Sequence, residues 1–387
     1  MQGEVKVVEQ IYSRSTHILK YVGLSVVPYC RRLIRFVALP YCYFFLIDWP
    51  ACRVGRFQVA IDLLYIFFKL KYFPDNYSPC RLWETDKEKW CQYYGSMYDP
   101  YQRSRLRKEV QPKEYLILFN NKRVCYLLCK SLEVPVPQEF GLIAPKGNYK
   151  QVLRDILKNQ PELKLILKPN LGRGGHGISI AYNKDGDIYV EDGIGKNLLD
   201  DFRLSVPSVV QTYIRQHDSL DKISTSANTV RIITLLTKNN NDVLIVGAYM
   251  RFGIGNAFID NLCEGGIAAG VNIDKGSLME FAYDLNGNSY TKHPTSGQVF
   301  KGFQVPFWQE LIVLVKRIQR EFSFYKMLGH DVVITESGPI IIEINDSPDN
   351  VAMEMICGPI LADKKIRVEF NDYNLLINKP SKNLVSP

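Results

Sequence analysis

Two acidic side chains and one amide stand in strongly apolar surroundings near the end of the chain. The segment GHDVVITESGPIIIEIND contains Asp331, Glu343 and Asn345 among valines and isoleucines. Its two apolar runs predict a β-hairpin with the three-residue turn 336–338, in which Gly338 takes the left-handed conformation. In that register Asp331 lies opposite Glu343, and Asn345 follows on the same face two residues further along.

Carboxylates that face each other on neighbouring strands repel unless they share a proton or bind a cation. Two carboxylates and an amide oxygen form a ligand set that suits Mg²⁺ or Mn²⁺, with nucleotide phosphates completing the shell. The hairpin therefore predicts a metal site at Asp331, Glu343 and Asn345. The alternative is an acidic hairpin that faces solvent. The apolar residues 332–334 and 340–342 argue against it, because they are typical of a covered sheet.

A glycine-rich loop lies between two strand-like segments in LILKPNLGRGGHGISI, directly after Lys168. The loop contains four glycines, Gly172, Gly174, Gly175 and Gly177. Glycine lets backbone N–H groups surround a phosphate. The chain then returns to a strand, which excludes the phosphate loop ending in GK[ST] and the dinucleotide GxGxxG fingerprint. The pattern predicts a hairpin flap over a phosphate, or a flexible turn without a ligand. His176 is either exposed or a phosphate contact.

The rest of the chain after residue 110 predicts an α+β fold. A helix is expected at about 121–132, and Pro135 and Pro137 confine the next strand to a sheet edge. Strands are expected at KLILK, GISIAY and SVVQTYI, and TVRIITLLT pairs with DVLIVGAYMRFG in antiparallel fashion. PFWQELIVLVKRIQREF predicts an amphipathic helix. Antiparallel runs of strands with helices between them are typical of α+β layers.

The N-terminal part of the 387-residue chain differs in charge from the rest. Residues 1–110 hold 17 Lys or Arg against 10 Asp or Glu, so most of the net charge of +8 lies there. This excess favours an anionic neighbour, such as a membrane surface or a phosphorylated lipid, and argues against nucleic-acid binding by the whole protein. The nine cysteines include no CxxC pair, which favours reduced thiols and a cytoplasmic location.

Residues 1–75 have a helical pattern, and residues 74–112 predict an irregular connector. No secretory signal opens the chain. The apolar segment LIRFVALPYCYFFLI, residues 33–47, is shorter than the roughly 18 to 20 residues that span a bilayer. Three interpretations remain open. The segment packs in a core against RFQVAIDLLYIFFKLKYF, or residues 20–75 contact a membrane surface, or the segment spans a membrane.

The order of these motifs resembles the ATP-grasp superfamily, and most closely its branch associated with sugar transfer and polysaccharide biosynthesis, which is related to α-L-glutamate ligases. The resemblance runs from about Asn121 to Pro348 and rests on NTVRIITLL, MRFG followed by DNLCEGG, HPTSG, and GHDVVITESGPIIIEIN. It implies two α+β lobes that grip ATP. The expected organisation is a basic helical extension with its connector at 1–110, a small lobe with the flap at 111–215, and a large lobe with the Mg²⁺ site at 216–387.

The resemblance also implies how ATP is bound. Lys122, at the start of its helix, and Lys168, at the end of its strand, would reach the phosphates. The flap would close over the β and γ phosphates. VVQTYI would be the hinge between the lobes, with backbone groups of Tyr213 or Ile214 reading the adenine.

Two further nucleotide contacts follow from the same resemblance. Asp218 would bind the ribose. Gln211 stands where many ATP-grasp enzymes have an acid, and its amide can still accept a hydrogen bond from the adenine amino group.

The catalytic residues implied by the resemblance are Arg231, Arg251 and Lys168, with the arginines neutralising the transferred phosphate or gripping an acidic substrate. Arg251 is otherwise a solvated surface arginine. Asn261 and the turn at Gly265 and Gly266 would line the phosphate and metal side. Two histidines stay open: His330 contacts substrate or phosphate or is packed and neutral, and His293 binds substrate or caps a loop.

The implied activity is an ATP-dependent carboxylate–amine ligase that forms an acyl phosphate and joins an amino acid or another acid to a sugar or polysaccharide precursor. Its partners would be ATP, Mg²⁺ or Mn²⁺, and a small-molecule or lipid-linked sugar, in the cytoplasm or at the inner face of the membrane. One alternative is an ATP-dependent small-molecule kinase. The other is a scaffold for glycosyltransferases that binds ATP without chemistry, which Gln211 would favour.

Overall fold

The fold is seen in a computed structural model that describes residues 28–96, 100–172, 177–193, 195–224, 226–255 and 260–376. The predicted roles of Gly174, Gly175 and His176 therefore lie outside the described residues. The described chain contains helices and two antiparallel sheets, which confirms the predicted α+β class.

Eleven α-helices occur in the described residues. They are α1 (Pro28–Val37), α2 (Leu39–Tyr41), α3 (Arg56–Tyr65), α4 (Pro100–Glu109), α5 (Leu116–Asn120), α6 (Lys122–Ser131), α7 (Tyr149–Asn159), α8 (Asp218–Asp221), α9 (Trp308–Glu321), α10 (Asn350–Cys357) and α11 (Lys364–Asp372). Two π-helical turns, Cys42–Leu46 and Ile66–Leu70, extend α2 and α3. Short 3₁₀ helices lie at Leu82–Glu84, Lys87–Gln92, Lys113–Tyr115, Leu262–Glu264 and Ile360–Ala362.

The first sheet has six strands in the order β1-β6-β2-β3-β4-β5. Their bounds are β1 (Glu139–Ile143), β2 (Lys164–Pro169), β3 (Ser179–Lys184), β4 (Asp187–Asp192), β5 (Lys196–Leu198) and β6 (Ser208–Thr212). Helix α7 covers this sheet because Leu153 and Leu157, four residues apart, share one helix face and join Leu165 and Leu167 in a single core. Strand β1 lies at an edge, as the prolines before it predict.

The second sheet has seven strands in the order β11-β10-β9-β8-β7-β12-β13. Their bounds are β7 (Thr229–Leu236), β8 (Val243–Phe252), β9 (Ile267–Asn272), β10 (Ser277–Tyr283), β11 (Ser289–Tyr290), β12 (Met327–Thr335) and β13 (Gly338–Asn345). The amphipathic helix α9 packs on one face of the sheet, with Leu311, Val315 and Ile318 fully buried. The predicted antiparallel pairing of β7 with β8 is confirmed.

The N-terminal region shares a hydrophobic core with the other face of the seven-stranded sheet. Leu39, Leu63, Tyr77 and Trp90 belong to the same buried cluster as Ile233 of β7. Helices α10 and α11 also contribute side chains to this cluster. The N-terminal residues therefore cover this face of the seven-stranded sheet.

Two predictions for residues 1–112 have different outcomes. The helical pattern is confirmed between Pro28 and Leu70, while residues 1–27 lie outside the description. The irregular connector is wrong in part, because α4 occupies Pro100–Glu109. Its polar sequence carries no apolar periodicity that would predict a helix. In the described part of the chain, no helix is both long enough and apolar enough to cross a bilayer.

A buried carboxylate joins the connector to α10. Glu354 accepts hydrogen bonds from the backbone N–H groups of Tyr94 (2.6 Å), Gly95 (3.0 Å) and Ile360 (3.3 Å). Burial raises the pKa of Glu354 to about 8, and the three donors lower it only in part. The folded protein therefore binds a proton here that the unfolded chain releases above its ordinary pKa.

We expect this group to make the free energy of unfolding fall by up to about 1.4 kcal/mol per pH unit as pH rises from 5 to 8. The sign follows because the folded pKa is the higher one, so the folded state holds more protons in this window. Urea unfolding at several pH values should show the slope in wild type and a smaller one in Glu354→Gln. Glu321→Gln, at an exposed position of α9, should keep the wild-type slope, and equal slopes in all three proteins would contradict the prediction.

Candidate active site

The acidic hairpin has a different turn from the predicted one. Thr335 pairs with Gly338, so the turn has two residues, and the three-residue turn 336–338 is wrong. Val332 pairs with Ile341, but the preceding residue, Asp331, pairs with Glu343. Ile342 is thus an additional residue on β13, and this β-bulge shifts the register by one residue. The predicted pair of Asp331 with Glu343 is confirmed because the bulge compensates for the shorter turn.

A row of polar side chains crosses four neighbouring strands of the second sheet. Tyr249 pairs with Arg231, Arg231 with Asp331, and Asp331 with Glu343. Directly opposed residues in antiparallel strands point to the same face. The sheet therefore places one guanidinium and two carboxylates side by side, and Arg251 is on the same face as Tyr249 because it lies two residues further along β8.

Both arginines bind Asp331. Arg231 donates from Nε and Nη2 to the two oxygens of this carboxylate, the second bond measuring 2.8 Å. Arg251 donates from Nη2 to Oδ2 at 3.2 Å. Burial alone would raise the pKa of Asp331, but the two guanidiniums outweigh it and hold the pKa at about 2. Protein cations therefore already compensate this acid, and a metal ion at Asp331 stays a prediction.

Glu343 faces lysines that come from the other side of a cleft. The Nζ atom of Lys122 lies 3.7 Å from Oε1 of Glu343 and donates to the carbonyl oxygen of Gly172 at 2.8 Å. Lys122 is the first residue of α6, where the Asn121 side chain caps the helix. The structure thus brings Lys122, the beginning of the flap and the acidic hairpin together.

Lys168 is buried near the end of β2, beside the same groups. Burial lowers its pKa to about 8, the carboxylate of Glu343 raises it, and the charge of Lys122 lowers it further. The flap joins β2 to β3, and these strands pair in antiparallel fashion. Its two described glycines, Gly172 and Gly177, have φ angles of +119° and +74°, which favour glycine.

Lys122, Lys168 and Glu343 border a cleft between the two sheets. Its lining includes Lys122, Lys168, Gln211, Phe119 and Glu343. Gln211 lies opposite Glu139 of β1, and its buried Oε1 has no hydrogen-bond partner among the described residues. A buried, unpaired carbonyl oxygen in a cleft can accept a hydrogen bond from a ligand amino group, as predicted for adenine.

The other predicted nucleotide contacts stay predictions. The backbone N–H of Tyr213 donates to the carbonyl oxygen of Lys164 at 2.8 Å, so Ile214 is the better candidate for reading adenine. Asp218 begins α8, where it accepts from Arg215 at 2.9 Å and its backbone N–H donates to Glu336 at 2.7 Å. Asp218 is therefore placed near the turn of the acidic hairpin.

Both histidines have structural contacts. His330 is fully buried on the opposite face of β12 from Asp331, and its Nε2 lies 2.9 Å from Oγ1 of Thr234. Burial lowers the pKa of His330 to about 3, which keeps it neutral. The Nε2 atom of His293 lies 2.9 Å from the carbonyl oxygen of Gly253, and its Nδ1 accepts from the backbone N–H of Ser296. His293 thus caps its loop.

Sequence reasoning missed Asp260, which is buried beside Arg251. Its Oδ2 accepts from the backbone N–H of Thr229 at 2.7 Å and lies 3.5 Å from Nε of Arg251. Arg251 is only partly exposed, so the solvated alternative for it is wrong. The signal was available, because DNLCEGG begins with this acid. Asn261, the next residue, caps the 3₁₀ helix Leu262–Glu264.

The donor set of the hairpin fits a hard divalent cation through oxygen atoms. Among the described residues no cluster of three or more His, Cys, Asp and Glu side chains gathers as a metal site. The predicted set has two acids and an amide, and Asn345 lies close to Asp331, with Nδ2 3.5 Å from Oδ2. Because the oxygens of Asp331 are bound by arginine, Glu343 and Asn345 are the better placed ligands.

We expect ATP binding to take up a proton above pH 8. Phosphates stabilise the ammonium form of Lys168, so binding raises a pKa that is about 8 in the free protein. ATP affinity should then fall by up to about tenfold per pH unit above pH 8. Calorimetry in buffers of different ionisation enthalpy measures the uptake.

Lys168→Met should abolish this uptake, whereas Lys164→Met, at the exposed start of the same strand, should leave it unchanged. Equal proton uptake by wild type and Lys168→Met would contradict the assignment.

A cleft between two antiparallel α+β lobes, with lysines from one lobe facing an acidic hairpin of the other, defines an ATP-grasp protein. The chain belongs to the sugar-transfer associated ATP-grasp family, whose sequence model matches residues 101–369. The family predicted from the motifs is thus confirmed.

No curated protein matches the chain significantly. Solved structures similar to it include an ADP complex of N5-carboxyaminoimidazole ribonucleotide synthetase, at 12% identity and a TM-score of 0.37, covering 64% of this chain and 48% of that one. D-cycloserine synthetase DcsG shows 13% identity and a TM-score of 0.39, covering 77% and 82%. D-Alanine-D-alanine ligase from Helicobacter pylori shows 12% identity and a TM-score of 0.38, and the match covers 70% of this chain and 63% of that one. The chain thus spans about half the length of the first of these structures.

Proposed function

We propose that the protein is an ATP-dependent ligase that activates a carboxylic acid as an acyl phosphate and joins it to an amine of a sugar or polysaccharide precursor. The observation that carries this proposal is the convergence of Lys122 and Lys168 on the acidic hairpin, across one cleft. The sugar is suggested by the family, and it is either a small molecule or lipid-linked, in the cytoplasm or at the inner face of the membrane.

In the first step a carboxylate oxygen of the substrate attacks the γ phosphorus, and the bond between that phosphorus and ADP breaks. Lys168 and Lys122 bind the phosphates, and the low pKa of Asp331 keeps its negative charge in place between Arg231 and Arg251. Mg²⁺ or Mn²⁺, held by Glu343 and Asn345 with Asp331, would neutralise charge on the phosphates. Gln211 and the backbone near Ile214 would hold the adenine, and Asp218 the ribose.

In the second step the amine attacks the acyl carbon, the carbon–oxygen bond to phosphate breaks, and the amine loses a proton. The phosphate leaves with one oxygen of the original acid. This step needs no serine or cysteine nucleophile, because positioning and charge stabilisation supply the rate.

Transfer of ¹⁸O from the acid to phosphate tests the proposal. The protein is incubated with ATP, Mg²⁺, ¹⁸O-carboxylate-labelled amino acids or uronic acids, and amino sugars. A ligase should release ADP and inorganic phosphate carrying one ¹⁸O, in an amount that depends on both acid and amine. A kinase would leave the phosphoryl group on its acceptor and release no labelled phosphate. ADP formation without acceptor dependence would also contradict the ligase.

A further inference from the structure

Large hydrophobic side chains are exposed along the two N-terminal helical stretches. The first stretch, α1 with α2 and its π turn, exposes Leu33, Ile34, Val37, Phe44 and Phe45. The second, α3 with its π turn, exposes Phe57, Ile61, Leu64 and Phe68. These nine side chains are called the apolar face below. Val37 is 72% exposed and Phe57 80%, so these side chains do not pack against the described core.

The spacing of these residues puts them on one side of each helix. Positions 57, 61, 64 and 68 are four, three and four residues apart, which is the repeat of a single helical stripe. On the first stretch, positions 33, 34 and 37 share one side of α1, and positions 44 and 45 lie on the π turn after α2. Phe36 of α1 is itself 43% exposed, and its ring centroid lies 5.8 Å from that of Phe68, so the two stretches are neighbours on the surface.

The opposite sides of the same helices face the core. Val59, Leu63 and Ile66 are buried on the second stretch. Asp62 is also buried, where it accepts from the Tyr77 hydroxyl at 2.8 Å. The acid of this helix is therefore directed inward, and it places no negative charge on the apolar face.

Within the segment that carries the apolar face, the exposed charges are of one sign. Between residues 33 and 71 the exposed charged residues are all basic, namely Arg53, Arg56, Lys69 and Lys71. Asp48, the other acid of this segment, is partly buried and accepts from the backbone N–H of Ala51. Trp49, an aromatic residue typical of membrane interfaces, lies under the guanidinium of Arg56 at 5.4 Å.

We propose that the apolar face docks the protein onto an anionic lipid surface, with both helices lying in the plane of the interface. An apolar stripe bordered by basic residues is the pattern of interfacial helices, which insert their hydrophobic side chains while cations meet the headgroups. A second copy of the chain is disfavoured as the occupant, because a symmetric pairing would set the same four cations against each other. The apolar face contains none of the active-site residues named above, so this docking proposal does not depend on the proposed reaction.

Flotation with lipid vesicles tests this docking surface. The full chain should bind vesicles of phosphatidylcholine with about a third phosphatidylglycerol, and bind pure phosphatidylcholine at least about tenfold more weakly. Raising the salt from about 0.1 M to about 0.5 M should weaken the binding, because the charges are exposed. Sedimentation velocity in the same buffers reports the oligomeric state.

Two variants separate the apolar and the charged contributions. Phe57→Asp with Phe68→Asp should lower vesicle binding at least about tenfold, while Val313→Asp, which changes a residue of α9 that is 67% exposed, should not. Arg53→Glu with Lys71→Glu should also lower it at least about tenfold and leaves the core intact. Retained ATP binding shows that each variant is folded.

Three outcomes would overturn the proposal. They are absence of vesicle binding by wild type, equal binding to neutral and anionic vesicles, and unchanged binding by both double variants. A dimer that dissociates in Phe57→Asp/Phe68→Asp without any vesicle binding would assign the face to a second copy instead.

Discussion

Glu343→Gln is expected to fold normally and to lose about 10²–10³-fold in acceptor-dependent ADP formation. The side chain is partly exposed, so the neutral amide is tolerated, but the charge that faces Lys122 disappears. The variant also loses the better placed carboxylate for a divalent cation. Calorimetry of ATP binding with Mg²⁺ and with EDTA should show that wild type needs the metal and that Glu343→Gln depends on it less.

The matched control is Glu280→Gln, which removes an exposed acid of the same sheet that pairs with Lys301. This variant should keep both the activity and the metal dependence. If ATP fails to bind to wild type, or binds equally well without metal, the catalytic interpretation of the acidic hairpin is wrong, and a binding role without chemistry becomes the better explanation.

Asp331→Asn should lose activity and also stability. The carboxylate is buried between Arg231 and Arg251, and its removal leaves largely buried guanidiniums without their counter-charge. Breaking such a pair from one side destabilises a protein by about 3–5 kcal/mol. Urea unfolding measures the loss, and the same preparation gives the activity.

A double variant distinguishes this electrostatic explanation from general damage to β12. Combining Asp331→Asn with Arg231→Met removes both the carboxylate and one of the guanidiniums that it neutralises. Arg251 keeps its ion pair with Asp260. We expect a coupling of about 1–3 kcal/mol, so that the double variant is more stable than Asp331→Asn alone. It should remain inactive. Strictly additive losses would mean that the acid and the arginine do not stabilise each other.

The acidic hairpin shows what the sequence could and could not predict. The two apolar runs were enough to predict both strands, and a three-residue turn then placed Asp331 opposite Glu343. It could not predict the two-residue turn or the bulge, because Ile340, Ile341 and Ile342 are chemically identical and any of them could be the additional residue. The error in turn length and the missed bulge offset each other at the acidic pair. The pairing of Asp331 with Glu343 was therefore predicted correctly although the turn was not.

The cations of the site were harder to predict. The motifs named Arg231 and Arg251 as phosphate or substrate ligands, yet the structure pairs both with Asp331. Partner choice depends on which strands become neighbours, and a single sequence does not fix sheet order. Asp260 was missed for a different reason, because it reaches Arg251 from a loop and no strand pairing brings the two together.

The core shared by the N-terminal region and the second sheet limits how the chain can be divided. The family match begins at residue 101, but residues from Leu39 to Trp90 cover the sheet that carries the site. A fragment that starts at the family boundary would expose Ile233, Leu235 and their neighbours to water, and it would aggregate rather than act as a catalytic unit. The residues from Leu39 to Trp90 and the second sheet therefore fold as one cooperative unit, so a substitution on either side of their shared core changes the stability of both.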